Sequence, residues 1–188
     1  MIAAVVLAAG ESRRFGGPKQ LARYRGQSLL RRSVDAALGA GCDPVVVVLG
    51  AEAQRVCEEL ADVAVRPVVN GDWASGMASS IRTGVEALRR AAPDASAVLL
   101  MVCDQLRVDE VLLRRICQTF DGTPGHRVAC AYEGTFGVPA LFERSMFGDL
   151  EALRGARGAR PLLERDPDRL SLVPFDGGGL DVDHPRDM

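Results

Sequence analysis

Continuous apolar runs recur along the chain and are separated by stretches of mixed polarity. Such runs predict strands that are buried on both faces of a parallel sheet. They occupy residues 2–8, 44–49 and 97–103, and the last, which is the most apolar, predicts the central strand. A fourth run at 63–69 contains a proline, which predicts a strand at an edge of the sheet.

Between these runs, apolar residues recur at every third or fourth position, which predicts helices. Gly39 and Gly41 end the first of them, and Pro93 ends the third. The four predicted helices are one from Ser28 with Leu30, Val34 and Leu38 on one face, a short one at 52–60, one with Ile81, Val85 and Leu88, and one with Leu112, Ile116 and Phe120.

Alternating strands and helices predict an α/β fold, a Rossmann-like, doubly wound and mostly parallel sheet. The last third of the chain is less regular, and there we expect added strands, one of them antiparallel. Its strand-like segments are 127–132, 137–142 and 170–175, with a helical piece around 145–153. Without a repeat or a low-complexity linker, residues 1–188 are expected to form a single domain.

The composition argues against some classes of binding partner and predicts the state of the cysteines and the cellular compartment. The formal net charge of −2 argues against nucleic acid, and no apolar run is long enough for a membrane span. Five cysteines without a CxxC pair predict free thiols rather than a zinc site or disulfides. The N-terminus lacks the basic region of a signal peptide, so we expect a cytoplasmic protein.

A glycine-rich stretch, LAAGESRRFGGPKQL at 7–21, follows the first predicted strand. Ligands of open α/β sheets lie beyond the carboxyl ends of the strands, and backbone N–H groups of such a loop can hold phosphate oxygens. Gly10 permits a tight turn, while Arg13, Arg14 and Lys19 supply cations. Lys19 is the only lysine among 23 lysine and arginine residues, which indicates a need for a compact point charge there.

This stretch is not one of two common phosphate loops. A Walker A loop requires Gly-Lys followed by serine or threonine, whereas Pro18 precedes Lys19 and Gln20 follows it. A dinucleotide fingerprint requires glycines in the spacing GxGxxG, whereas the glycines here lie at 10, 16 and 17. A nicotinamide dehydrogenase is therefore disfavoured.

Carboxylates near the same predicted sheet edge indicate a metal site. Asp104 directly follows the run 97–103, and Asp183 near the C-terminus is the natural second ligand. Asp181 is an alternative to Asp183, which could instead cap a C-terminal helix at Pro185. Two carboxylates together with triphosphate oxygens suit Mg²⁺.

A second polar patch follows the edge strand. Asn70, Ser79 and Ser80 could bind the ribose or a phosphate, but Ser79 or Ser80 could equally cap the third helix. Trp73 could stack on a flat heterocycle or could be a buried structural residue.

Six blocks of sequence resemble one family. The motif LAAG-x-S-x-R-F-G-G-x-K-x-L resembles the signature loop of the MobA-like nucleotidylyltransferases, and the segments that follow resemble molybdenum cofactor cytidylyltransferases. These segments are NGDWASGMASSIRTGV at 70–85, CDQ at 103–105, GVPALF at 137–142, GARPLLE at 158–164 and DVDHPRDM at 181–188. The resemblance implies a nucleotide-diphospho-sugar transferase-like fold.

The resemblance also implies roles for individual residues. Lys19, Arg13 and Asp104 are expected to be catalytic, and Asp104 and Asp183 to bind Mg²⁺. The nucleotide-binding residues are expected to be Leu7, Ala8, Ala9, Gly10, Arg13, Lys19, Asn70, Ser79 and Ser80. The AAG turn resembles the cytidylyl-transferring branch, since a double-glycine turn goes with guanylyl transfer.

The expected reaction is the transfer of CMP from CTP to the phosphate of a molybdopterin-type cofactor, with release of pyrophosphate. A phosphate monoester is mostly a dianion at neutral pH, so it needs no general base, which fits a chain with two histidines. Leu106, Val138 and His184 depart from the family pattern on the acceptor side, so a sugar or alcohol phosphate stays open as acceptor. A non-catalytic carrier that serves a molybdenum hydroxylase is the alternative from another class.

Overall fold

A computed structural model describes all 188 residues of the chain. Its strands are β1 (Ile2–Ala8), β2 (Arg23–Tyr24), β3 (Gln27–Ser28), β4 (Val45–Leu49), β5 (Arg66–Val69), β6 (Ala97–Val102), β7 (Arg127–Tyr132), β8 (Thr135–Glu143) and β9 (Leu170–Pro174). Its α-helices are α1 (Leu29–Gly39), α2 (Ala53–Cys57), α3 (Met77–Ala91), α4 (Glu110–Thr119), α5 (Phe147–Ala152) and α6 (Arg160–Glu164).

Seven of the strands form one sheet in the order β5-β4-β1-β6-β8-β7-β9. β1 pairs in parallel with β4 and β6, and β4 pairs in parallel with β5. β8 pairs antiparallel with β6 and β7, whereas β7 and β9 are parallel. The structure therefore confirms the mostly parallel α/β sheet, the central place of β6, the edge place of β5 and one antiparallel strand in the C-terminal third.

Helices cover both faces of the sheet, which explains the unbroken apolar runs. Ala4 and Val6 of β1 belong to a core of 26 buried residues that includes residues of α1 and α4. Ala3 and Val5 of the same strand belong to a core of 22 buried residues that includes residues of α3, α5 and α6. Because successive side chains of a strand point to opposite faces, a strand between two helical layers is apolar at every position.

Two local expectations need correction. Only the second half of the run 63–69 is a strand, because β5 begins at Arg66. Helix α3 begins at Met77 with Gly76 as its N-cap, so neither Ser79 nor Ser80 caps it. Gly76 has a φ of 117°, and an added Cβ would lie 2.9 Å from the carbonyl oxygen of Gly155, so a glycine is required there.

The β2–β3 hairpin was not predicted, because its two-residue strands are too short to carry an alternating pattern. All five cysteines are free, and Cys42, Cys103 and Cys130 are buried, as expected of thiols that act as small apolar groups. None of the helices combines the length and the apolarity that crossing a membrane requires.

Candidate active site

The glycine-rich loop leaves β1 at the carboxyl edge of the sheet, where the ligands of such sheets bind. The buried side chain of Gln20 holds the turn, since its Nε2 donates to the carbonyl oxygens of Ala8 and Gly10 at 2.8 Å each. Sequence reasoning missed this anchor. The signal for it was a polar residue beside Lys19 in an otherwise cationic, glycine-rich loop.

Lys19 lies at the centre of the site. Its Nζ donates to Oδ2 of Asp104 at 2.5 Å and to the carbonyl oxygen of Val182 at 3.1 Å, and lies 3.7 Å from Oδ1 of Asp183. Partial burial disfavours the ammonium charge, but the Asp104 carboxylate outweighs this effect and raises the pKa of Lys19. One cation thus joins the loop after β1, the turn after β6 and the C-terminal segment.

Asp104 retains a free coordination position. Lys19 occupies its Oδ2, whereas its Oδ1 is buried and has no hydrogen-bond partner. A buried carboxylate oxygen without a partner is costly unless a ligand satisfies it. The Asp104 carboxylate therefore fits a divalent metal ion, which prefers oxygen ligands.

The C-terminal segment supplies two more carboxylates. Asp183 forms an ion pair with Arg14 at 2.9 Å and shares Lys19 with Asp104. Partial enclosure of the Asp181 carboxyl group, followed by the nearby charge of Asp104, raises the pKa of Asp181 to about 6. His184 rather than Asp183 is the N-cap at Pro185, and Asp183 as the second metal ligand, with Asp181 as its alternative, stays a prediction.

No group of three or more histidine, cysteine, aspartate or glutamate side chains is arranged to hold a metal ion. A metal ion bound at Asp104 and Asp183 would therefore take further ligands from water and from a substrate. This is how Mg²⁺ is commonly bound in sites that handle phosphates.

Two adjoining cavities meet at Gly10 and Lys19. The first has a volume of about 270 Å³ and is lined by Leu7, Ala8, Ala9, Gly10, Lys19, Gln20, Trp73, Gly76, Met77, Ser80, Val102, Cys103 and Asp104. The second has a volume of about 220 Å³ and is lined by Gly10, Ser12, Arg13, Arg14, Lys19 and Asp183. The first is largely apolar, whereas three cations border the second.

Arg13 lies at the rim of the smaller cavity. Its side chain is 83% exposed, and its Nε contacts the Glu11 carboxylate at 2.6 Å. An exposed ion pair of this kind contributes little to stability, so the guanidinium can turn toward an anion at small cost. Arg13 is thus near Lys19 but less firmly held.

The polar side chains of the patch after β5 form hydrogen bonds within the patch. Asn70 is buried, and its Nδ2 donates to Oγ of Ser79 at 2.8 Å and to Oγ of Ser80 at 3.0 Å, while its Oδ1 accepts from the backbone N–H of Asp72 at 2.9 Å. Ser80 lines the larger cavity, but Asn70 and Ser79 do not. Their predicted role in nucleotide binding stays a prediction.

Ala9 and Trp73 form one wall of the larger cavity. An added Cβ at Gly50 would lie 2.8 Å from the Cβ atoms of both residues, so Gly50 allows them to pack at the end of β4. Trp73 is half-buried, packs against the core on the α3 face and still borders the cavity. Its contact with the core agrees with a structural role, and its stacking on a flat heterocycle stays a prediction.

The family to which the sequence is related agrees with the geometry of the candidate active site. Residues 4–170 match the model of the MobA-like NTP transferase domain. The chain therefore belongs to the MobA-like NTP transferase family, whose members are nucleotidyltransferases of the nucleotide-diphospho-sugar transferase fold.

Similar proteins share this fold over their whole length. The Mycobacterium tuberculosis protein Rv0371c is 37% identical, with a TM-score of 0.84 over 99% of this chain and 94% of that one. A second crystal structure of Rv0371c is a complex with manganese, with 35% identity and a TM-score of 0.80 over 99% and 95% of the two chains.

Two curated relatives carry names that describe different enzyme activities. Nicotine blue oxidoreductase of Paenarthrobacter nicotinovorans is 33% identical over 100% of this chain and 94% of the relative. Probable molybdenum cofactor guanylyltransferase of Opitutus terrae is 43% identical over 65 residues, which are 31% of this chain and 32% of the relative.

Proposed function

We propose that the protein is a cytidylyltransferase that transfers CMP from CTP to the phosphate of a molybdopterin-type cofactor and releases pyrophosphate. The observation that carries the proposal is the junction of the two cavities at Gly10 and Lys19. A nucleoside in the larger, apolar cavity would extend its triphosphate into the smaller, cationic one. Leu7, Ala8 and Ala9 then border the base, and Arg13 and Lys19 face the phosphates.

The reaction requires little covalent chemistry from the protein. An oxygen of the acceptor phosphate attacks the α-phosphorus, and the bond from that phosphorus to the bridging oxygen breaks, so the electron pair leaves with pyrophosphate. The acceptor is already mostly a dianion at neutral pH. The protein therefore acts by positioning the two anions and by neutralising the charge that develops on the leaving group.

Lys19 and Arg13 supply the fixed and the adjustable positive charge, respectively. Lys19 also holds Oδ2 of Asp104, which leaves Oδ1 for Mg²⁺, with Asp183 as the second protein ligand. Bound there, Mg²⁺ supplies positive charge that stabilises the pyrophosphate leaving group. Lys19 is in this respect also a positioning residue for the metal ligand.

The lining of the larger cavity supports cytidine, because Ala9 forms part of it. Ala9 adds a methyl group to this wall where a glycine would leave room for a purine. We therefore propose that Ala9 selects against GTP.

The acceptor is proposed from relationship and chemistry. The molybdenum cofactor named for the Opitutus terrae relative supports a molybdopterin-type acceptor. The product would serve a molybdenum hydroxylase, and the reaction is proposed to take place in the cytoplasm, where free thiols persist. A sugar or alcohol phosphate is the alternative acceptor.

The proposal is tested by incubating the protein with Mg²⁺, molybdopterin cofactor and each of the four NTPs, and by measuring pyrophosphate. We expect release with CTP above the other three, and only with the acceptor present. Equal or lower release with CTP would contradict the nucleotide assignment. Release with a sugar or alcohol phosphate but not with the cofactor would contradict the acceptor assignment, and tight cofactor binding without NTP binding would favour a carrier.

One relative favours a second candidate function. The chain matches nicotine blue oxidoreductase over its whole length, so the second candidate function is a redox activity. The glycine spacing of 10, 16 and 17 does not fit a nicotinamide dinucleotide fingerprint. We therefore expect no oxidation of NADH or NADPH by a dye acceptor, and steady oxidation would favour the oxidoreductase.

A further inference from the structure

A further large concavity shares no lining residue with the two cavities of the candidate active site. The groove has a volume of about 750 Å³ and is bounded by the β2–β3 hairpin, α1, α4 and the segment after β9. Its lining residues are Tyr24, Arg25, Arg32, Leu106, Arg107, Val108, Asp109, Val111, Leu112, Arg115, Pro174, Phe175 and Asp176. We call it the arginine groove.

Four arginines border the arginine groove, and none of them forms an ion pair. They are Arg25, Arg32, Arg107 and Arg115. Many arginines elsewhere do pair with carboxylates, for example Arg31 with Asp35 and Arg165 with Asp149. The groove thus concentrates cations that the protein itself leaves without a counter-charge.

The carboxylates of the groove do not neutralise this charge. Asp109 and Asp176 also line it, but neither lies within ion-pair distance of an arginine. Oδ1 of Asp109 is engaged as the N-cap of α4, where it accepts from the N–H of Leu112 at 2.9 Å. Four cations against two carboxylates leave a local excess of positive charge.

Two of the arginines are held in place by one aromatic ring. The guanidinium carbons of Arg25 and Arg32 lie 5.3 and 5.2 Å from the ring centroid of Tyr24. Arg32 also donates to the carbonyl oxygen of Leu106 at 3.2 Å. Cation–π contacts of this kind orient a guanidinium and leave most of its N–H donors free for an anion.

We propose that the arginine groove binds a small anion that carries two or more phosphate groups. Planar guanidinium forks match phosphate oxygens in a bidentate manner, and four of them surround one concave space. The volume falls within the range of small-molecule sites. The buried side chains of Val108, Leu112 and Phe175 add an apolar floor, on which a base or another flat group can lie.

The concave shape favours a compact polyanion over an acidic peptide. An extended peptide would require cations spaced along a channel, whereas here they converge on one cavity. The arginine groove shares no lining residue with the two cavities in which we propose that CTP binds, and its proposal does not depend on that one. Free polyphosphates and nucleotides share the recognised chemistry.

The test is calorimetric titration of the full-length protein with tripolyphosphate and, separately, with CTP. We expect two binding events with tripolyphosphate. Arg25→Ala/Arg115→Ala should weaken one of them about tenfold or more, because charge-assisted hydrogen bonds are lost. Lys19→Ala should weaken the other. Tighter groove binding of CTP than of tripolyphosphate would identify a nucleotide as the ligand, and equal binding would identify a polyphosphate.

Arg66→Ala/Arg90→Ala is the matched control, since both side chains are exposed, form no ion pair and carry the same charge. This control should bind like the wild type, and circular dichroism should show all variants folded. The proposal is overturned if the groove substitutions change the affinity for neither anion, or if the control variant loses affinity equally. It is also overturned if a glutamate octapeptide binds the groove while tripolyphosphate does not.

Discussion

Two polar clusters follow strands of the seven-stranded sheet, and they differ in which polar groups they leave without a hydrogen-bond partner. In the cluster of Lys19, Asp104 and Asp183, a buried carboxylate oxygen of Asp104 has no partner. In the cluster of Asn70, Ser79 and Ser80, the amide groups of Asn70 are all engaged within the protein. Sequence position and the family resemblance together made both clusters candidates for the active site.

From this difference we expect polar residues with satisfied hydrogen bonds to act on structure, and those with a free polar group to act on function. The hydrogen-bond network of Asn70 stabilises the turn that leads into α3 and leaves few polar groups free to bind a ligand. The free carboxylate oxygen of Asp104, which is paired with Lys19 through its other oxygen, retains binding capacity, because its desolvation is not compensated until a ligand arrives. Substitutions in the two clusters should therefore change different properties.

The largest effect is expected for Asp104→Asn. The amide keeps the shape but removes the negative charge that a metal ion requires, so kcat should fall by about 100-fold or more. Pyrophosphate release at saturating CTP and Mg²⁺ measures this loss. Asp181→Asn is the control and should cost less than Asp183→Asn, and the reverse order would show that Asp181 is the second ligand.

Lys19→Arg is expected to lower kcat by roughly 10- to 100-fold. The wide guanidinium cannot replace an ammonium that contacts Asp104 at 2.5 Å and the carbonyl oxygen of Val182 at 3.1 Å. Thermal unfolding should show that the variant remains folded. An unchanged rate would remove the lysine-specific role.

Asn70→Ala should act on stability rather than on catalysis. It removes two buried hydrogen bonds and one partly buried one, which should lower the free energy of unfolding by about 2–3 kcal/mol. Urea titration measures this change, with Ser75→Ala, an exposed hydroxyl at the same turn, as the control that should cost less than about 0.5 kcal/mol. A large rise in KM for CTP without a loss of stability would instead support a role in nucleotide binding.

The smallest effect is expected for Ala9→Gly. Removing one methyl group from the cavity wall should shift the ratio of kcat/KM for CTP over GTP toward GTP by about tenfold. Parallel assays with both nucleotides measure the ratio. No shift, or a shift toward CTP, would show that another residue selects the base.

Much of the fold could be predicted from the sequence because β1, β4 and β6 are apolar at every position. That pattern has few alternatives to a sheet covered on both faces. The start of α3 could not be predicted, because Gly76 owes its role as cap to a close approach by Gly155, which lies far away in sequence. The β2–β3 hairpin could not be predicted either, because its two-residue strands are too short to show an alternation of apolar and polar residues.

The site could be predicted in part for a similar reason. Lys19 and Asp104 are 85 residues apart, yet both follow parallel strands, and the carboxyl ends of such strands meet at one edge. That Lys19 would bond to Asp104 itself could not be inferred from either segment. The arginine groove could not be predicted at all, because Arg25, Arg32, Arg107 and Arg115 come from separate segments without a shared motif.

The central claim is that the carboxylates around Lys19 hold a divalent metal ion together with a nucleoside triphosphate. Titration with Mn²⁺, followed by its electron paramagnetic resonance signal with and without CTP, tests this claim most directly. We predict that CTP tightens Mn²⁺ binding to the wild-type protein and that Asp104→Asn abolishes this effect. Equal Mn²⁺ binding by both proteins in the presence of CTP would contradict the account.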